Sequence, residues 1–117
     1  MRAIIDFHTH LFPEKVAARA VAGMYEYCKI PYRTEGDLVH LGQAMAREGV
    51  ALSVNMPVCT NPAKVRSCNE FAAKVAATAR FASFGCLHPA MKGGAAPVQK
   101  LGTHWAEDPQ RLPGVLL

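Results

Sequence analysis

Two histidines one residue apart, His8 and His10, close the apolar run Ala3-Ile4-Ile5-Asp6-Phe7-His8-Thr9-His10. In an extended chain, side chains alternate between faces, so Asp6, His8 and His10 share one face and Ile5, Phe7 and Thr9 the other. The two histidine Cα atoms then lie about 6.5 Å apart, twice the strand rise of about 3.3 Å. Imidazoles at that spacing can lean toward one point and hold one metal ion at about 2.0–2.1 Å. On a helix the same task needs i, i+4 spacing. A single histidine at a strand end is ordinarily a hydrogen-bonded polar residue. A pair that ends an apolar strand and shares its face with a carboxylate points to a metal site. Asp6 points one layer deeper and suits support of the ligands rather than ligation.

The elements that must position this pair follow in order. Leu11-Phe12-Pro13 breaks the strand, which leaves the histidines at its carboxyl end, and Pro13 suits the first turn of a helix. Val16, Ala20, Met24 and Tyr27 recur at helical spacing, and Pro31 ends that segment. Thr34 reads as the cap of a second helix with Asp37 three residues on; Leu38, Leu41 and Met45 form its inner face and Gly49 closes it. His40 reads as a surface or boundary residue of that helix. Val50 to Met56 is a nearly continuous apolar run, the pattern of a parallel strand covered on both faces. Asn61-Pro62 starts a third helix with Val65, Cys68, Ala72, Val75 and Ala79 as its stripe. Phe81 to Leu87 is a third strand, ended by His88-Pro89. Strands alternating with helices predict right-handed βαβ crossovers and a parallel sheet. His8, His10, Asn55 and His88 then all fall at strand carboxyl ends, on the rim where α/β barrels keep their active sites. For His88 two readings stand: a strand-end residue bonded to a nearby backbone group, or a group facing substrate or metal.

Residues 5 to 13, Ile-Asp-Phe-His-Thr-His-Leu-Phe-Pro, resemble the start of the amidohydrolase superfamily, in particular the amidohydrolase-related branch of metal-dependent hydrolases and decarboxylases. The resemblance continues through Asn55-Met56-Pro57-Val58 and Phe84-Gly85-Cys86-Leu87-His88-Pro89 and covers residues 3 to 89. It implies an α/β fold made of the first three βα units of a TIM (β/α)8 barrel. It also implies a divalent metal cofactor, zinc before others, held by His8 and His10, with Asp6 behind them and Asn55 and His88 facing substrate. The implied chemistry is metal-activated water attacking a carbonyl, or metal-assisted decarboxylation, on a small carbonyl or carboxylate substrate.

Length bounds this expectation. A complete barrel takes about 250 residues, with a floor near 200, and the chain has 117. The expected organisation is therefore residues 1–89 as N-terminal barrel units and residues 90–117 as a divergent, irregular tail containing His104-Trp105. A catalytic zinc normally has three protein ligands plus water, and the first strand offers two. In the resembled family, further ligands and the catalytic aspartate come from later strands. Asp6, His88 and His104 are the residues within the chain that could add to the site. The expectation is a truncated barrel, inactive alone, that self-associates through its open sheet edges.

Composition narrows the alternatives. Half of the residues are hydrophobic, enough for a buried core. The net charge is +4 from 13 basic and 9 acidic residues, but no two basic residues are adjacent, which argues against a nucleic-acid binder. The amino terminus enters a strand at once, without the apolar region of a signal peptide, and no segment has the roughly 20 apolar residues of a membrane span. The expected location is the cytoplasm. Cys28, Cys59, Cys68 and Cys86 show no C-x-x-C spacing and read mostly as buried free thiols. Two other functional readings stand beside the hydrolase. One is a histidine-rich barrel phosphoesterase or DNase, which also opens with His-x-His. The other is a non-catalytic module that pairs its sheet edges with another chain.

Overall fold

The computed structural model describes residues 2–92. The chain runs β1 (Ile4–Thr9), α1 (Glu14–Cys28), α2 (Leu38–Glu48), β2 (Val50–Asn55), a 3-10 turn (Pro62–Lys64), α3 (Val65–Ala76) and β3 (Phe81–Ser83). The strands form one parallel sheet in the order β1-β2-β3. This is a small α/β domain whose alternation is compatible with successive βα units. The expectation for residues 93–117, His104 and Trp105 included, lies outside the described residues. Among the described residues, no helix is long and apolar enough to cross a membrane.

Leu11, Met45, Val75 and Phe81 form the buried core, with Leu38, Leu41, Val50 and Phe71 packed around them. These side chains come from α2, α3, β2, β3 and the turn after β1, so the core lies on the β2–β3 side of the sheet. β1 is an edge strand, and Ile4, Ile5 and Phe7 are 52%, 50% and 58% exposed. Hydrophobic side chains in this state on a sheet edge are an invitation to further strand pairing.

Three local expectations shift. The cap of α2 is Asp37, not Thr34: its carboxylate accepts the His40 backbone N–H at 2.9 Å. Gly36 sets this start, because its φ of +79° is a left-handed turn that stops the helix from extending upstream. The buried positions of α1 are Ala17 and Val21, one residue on from the expected stripe, and Tyr27 is 90% exposed. Val21 packs so close to Gly36 that a Cβ there would meet Val21 Cγ2 at 2.5 Å. β3 ends at Ser83 rather than running to Leu87, because Asn69 of α3 takes both backbone groups of Cys86. Beyond these three, Asn61-Pro62 opens a 3-10 turn rather than the third helix itself, and α3 ends at Ala76, which leaves Ala79 of the expected stripe outside it and exposed. Gly49 closes α2 at φ +70°, and Asn61 caps the 3-10 turn by accepting from the Ala63 N–H.

Candidate functional site

The exits of β1 and β2 are stitched together, and this stitching places the histidines. Thr9 Oγ1 donates to the Val54 carbonyl at 2.9 Å, Met56 N to the Thr9 carbonyl at 2.7 Å, and Leu11 N to Asn55 Oδ1 at 2.9 Å. The β1–β2 ladder is irregular between Asp6 and Thr9, where the His8 backbone N–H turns back to Asp6 Oδ1 at 3.2 Å. An irregularity of this kind bends a strand and re-aims its side chains. The two imidazoles converge as a result: His8 Nε2 and His10 Nε2 stand 3.1 Å apart, with the rings inclined at 77°.

The tautomer of His10 follows from its partner. Its Nδ1 lies 2.7 Å from the Met56 carbonyl oxygen. A carbonyl only accepts, so Nδ1 carries the proton and the neutral ring presents a lone pair at Nε2. A backbone carbonyl that fixes the remote nitrogen in this way is the usual support of a metal-bound histidine. Two ligands about 2.0–2.1 Å from one cation, at angles between 90° and 109°, stand about 2.9–3.4 Å apart. The observed 3.1 Å falls inside that span. The same distance also fits a hydrogen bond from His8 Nε2–H to that lone pair.

Asp6, His8 and His10 line a cavity of about 400 Å³ whose other walls include Phe12, Met24 and Tyr25. The site is therefore a pair of nitrogens and a carboxylate at the edge of an apolar hollow. Asp6 Oδ1 is engaged by the His8 backbone, a bond that shapes the end of β1 where both histidines stand.

The other expected site residues sit elsewhere. Asn55 is fully buried, with its Oδ1 on Leu11 N and its Nδ2 donating to Ser83 Oγ at 2.9 Å. It ties all three strand exits together. His88 does not line the cavity; its Nδ1 accepts the Ala90 N–H at 3.1 Å. The bond to a nearby backbone group is thus the geometry it adopts.

Sequence reasoning missed a second group. Cys59, Cys68 and Cys86 bring their Sγ atoms within 4.8 Å of one another, close enough to hold one metal ion. Among the described residues this is the one cluster of three such donors. Burial pushes the Cys68 thiol up to about 11, with Cys59 adding to the rise, and burial pushes Cys86 up to about 12, with Cys68 and Cys59 adding. A usable signal was present: Cys59 and Cys86 each follow a strand exit by three or four residues, and Cys68 lies in the first turns of the helix between them.

No family model matches the chain, and neither curated proteins nor solved structures give a match.

Proposed function

We propose that residues 1–89 are the first three βα units of an amidohydrolase-like metal-dependent hydrolase or decarboxylase, and that His8 and His10 hold its divalent cation, zinc before others. The observation that carries this reading is the 3.1 Å approach of the two Nε2 atoms, with His10 locked by Met56 so that its lone pair faces His8. A cation bound there supplies Lewis acidity and lowers the pKa of water from 15.7 toward roughly 7.

The chain's own residues do the rest. Met56 orients His10, Asp6 holds the His8 backbone, and the apolar wall of Phe12, Met24 and Tyr25 takes the carbon skeleton of a small carbonyl or carboxylate substrate. Three protein ligands are the norm for catalytic zinc, and no third His, Cys, Asp or Glu joins the pair among the described residues. The reading therefore assigns the missing ligand and the proton-transferring acid to strands that pair with the open edge of β1 or β3. It predicts zinc binding without turnover by the purified chain.

Titration calorimetry with zinc, manganese and cobalt tests the first half, using His8→Ala and His10→Ala as controls. A panel of amides, lactones, carboxylates and phosphoesters tests the second. Phosphoester turnover transfers the site to the phosphoesterase class. Metal-dependent hydrolysis by the chain alone, abolished by His8→Ala, overturns the claim that it needs a complement.

A further inference from the structure

We propose that Cys59, Cys68 and Cys86 form a separate thiolate centre for one thiophilic d10 cation, zinc(II) or copper(I), which ties the chain after β2 and the chain after β3 to α3. The donors come from three different segments: the loop after β2, the helix α3, and the turn beyond β3. Their three sulfurs already lie within 4.8 Å of one another. Around one zinc at about 2.3 Å, tetrahedral geometry sets sulfurs about 3.8 Å apart. From separations of at most 4.8 Å, closing the group asks each pair of sulfurs to approach by about 1 Å or less.

The backbone around the sulfurs is held in advance. Asn69, which follows Cys68 in α3, is buried; it donates Nδ2 to the Cys86 carbonyl at 3.0 Å and accepts the Cys86 N–H at 2.7 Å. That pair of hydrogen bonds from one side-chain amide to both backbone groups of one residue fixes Cys86 beside Cys68. On the third side, the Cys59 thiol donates to the Asn61 carbonyl at 3.2 Å, a bond given up when the thiol deprotonates, and Asn61 is itself the cap of the turn that leads into α3. Outer hydrogen bonds such as those of Asn69 orient ligands and are part of a metal site's affinity.

The donor set selects the cation. Three thiolates with no carboxylate or imidazole among them suit soft ions and disfavour magnesium, calcium and manganese. All three cysteines are half-buried, so one side of the group stays open to solvent. Zinc would take a water there as its fourth ligand, whereas copper(I) is content with three sulfurs. Lys64 lies near Cys68 and offsets part of the negative charge of the assembled centre. Binding balances without redox change. Three S–H bonds release their protons to solvent as three metal–sulfur bonds form.

This centre does not depend on the histidine pair, and the experiment keeps the two apart. The full chain is reduced, freed of metal and titrated with cobalt(II) under anaerobic conditions, then with zinc(II) and copper(I). An intense thiolate-to-cobalt charge-transfer band at one ion per chain is expected. It persists in His8→Ala/His10→Ala and in Cys28→Ser, is lost in Cys86→Ser, and is displaced by zinc or copper(I). In the unmutated chain, bound metal should block alkylation at Cys59, Cys68 and Cys86 and leave Cys28 reactive, a readout that needs no variant to fold. Absence of the band, its survival in Cys86→Ser, or a disulfide between two of the three cysteines in anaerobically prepared protein overturns the proposal.

Discussion

His10 Nδ1 stands 2.7 Å from the Met56 carbonyl oxygen, so in the neutral ring the lone pair sits on Nε2, 3.1 Å from His8 Nε2. A bond from β1's exit to the residue just past β2 thus decides what chemistry the strand end can offer. On the proposed reading, metal affinity at this end of the sheet depends on two strands held together and not on the His-x-His spacing alone.

Nitrogen-resolved NMR of the metal-free chain should accordingly find His10 as the Nδ1–H tautomer at neutral pH. Zinc should shift Nε2 of both rings. His8→Ala or His10→Ala should lower zinc affinity at this site by at least about 10–100-fold, the scale on which even supporting contacts act. An Nε2–H tautomer of His10 in the folded chain would remove the basis of the ligand assignment.

Asn55 has its amide taken by Leu11 N and Ser83 Oγ, and it is fully buried. Asn55→Ala should leave Leu11 N without its acceptor, at about 1–3 kcal/mol for the orphaned group, while Ser83 Oγ loses one bond and keeps its donation to the Phe84 carbonyl at 2.9 Å. Urea unfolding of the chain measures this directly. A variant with unchanged stability but weakened substrate binding in a completed enzyme would return Asn55 to the substrate-facing role that its strand-end position suggests.

How much of this was legible in the sequence depended on how local each determinant was. Gly49, the Asn61 cap and the alternation of strands and helices act within a few residues, and they read correctly. The start of α2 did not, because Thr34 and Asp37 are both good caps and the choice is made by the left-handed turn at Gly36 packed on Val21. The stripe of α1 was ambiguous for a related reason. Alanines at positions 17, 18, 20 and 22 let several faces pass as apolar, and contact with Gly36 picks Ala17 and Val21. The cysteine trio was legible only in part: Cys59 and Cys86 fall just past two strand exits with Cys68 in the helix between, but Asn69 assembles them across sequence separations that no motif records. The histidine pair was legible as a pair, but its convergence comes from the irregular ladder between Asp6 and Thr9, which strict alternation does not contain.

Gly36 combines a φ of +79° with a would-be Cβ only 2.5 Å from Val21 Cγ2. Gly36→Ala should therefore destabilise the chain by more than the roughly 1–2 kcal/mol that a left-handed backbone alone costs an alanine. Adding Val21→Ala should recover the steric part and leave the backbone part. A double mutant whose losses simply add would show that the two residues do not touch in solution.

Asp37 gives the fold an acid-sensitive joint. The His40 backbone N–H is the largest cause of a carboxyl pKa held below the ordinary 3.8; burial opposes it, and the His40 ring at 2.7 Å assists. A depressed folded value means that the unfolded chain binds the proton more readily. The contribution is therefore complete above the ordinary value and is lost as pH falls through the folded one. Asp37→Ala should cost about 0.5–2 kcal/mol at neutral pH, the usual worth of such a cap. The gap between the two proteins should shrink below pH 3.8. A gap that stays constant into strong acid would mean that the carboxylate's charge contributes nothing.

The exposed side chains of β1 predict association. Ile4, Ile5 and Phe7 are each at least half exposed on a strand that, among the described residues, has one unpaired edge. Leaving such an edge free is costly in solution, because its N–H and C=O groups template pairing with another chain. Light scattering of the purified protein should find mass rising with concentration. Ile5→Lys with Phe7→Glu should suppress that rise, since charges on an edge strand disfavour edge-to-edge contact. Because neither substitution removes a histidine, zinc binding at His8 and His10 should survive in the variant. A chain that stays monomeric at all concentrations before mutation would deny β1 its place beside a further strand, and with it the completed barrel that the hydrolase reading needs.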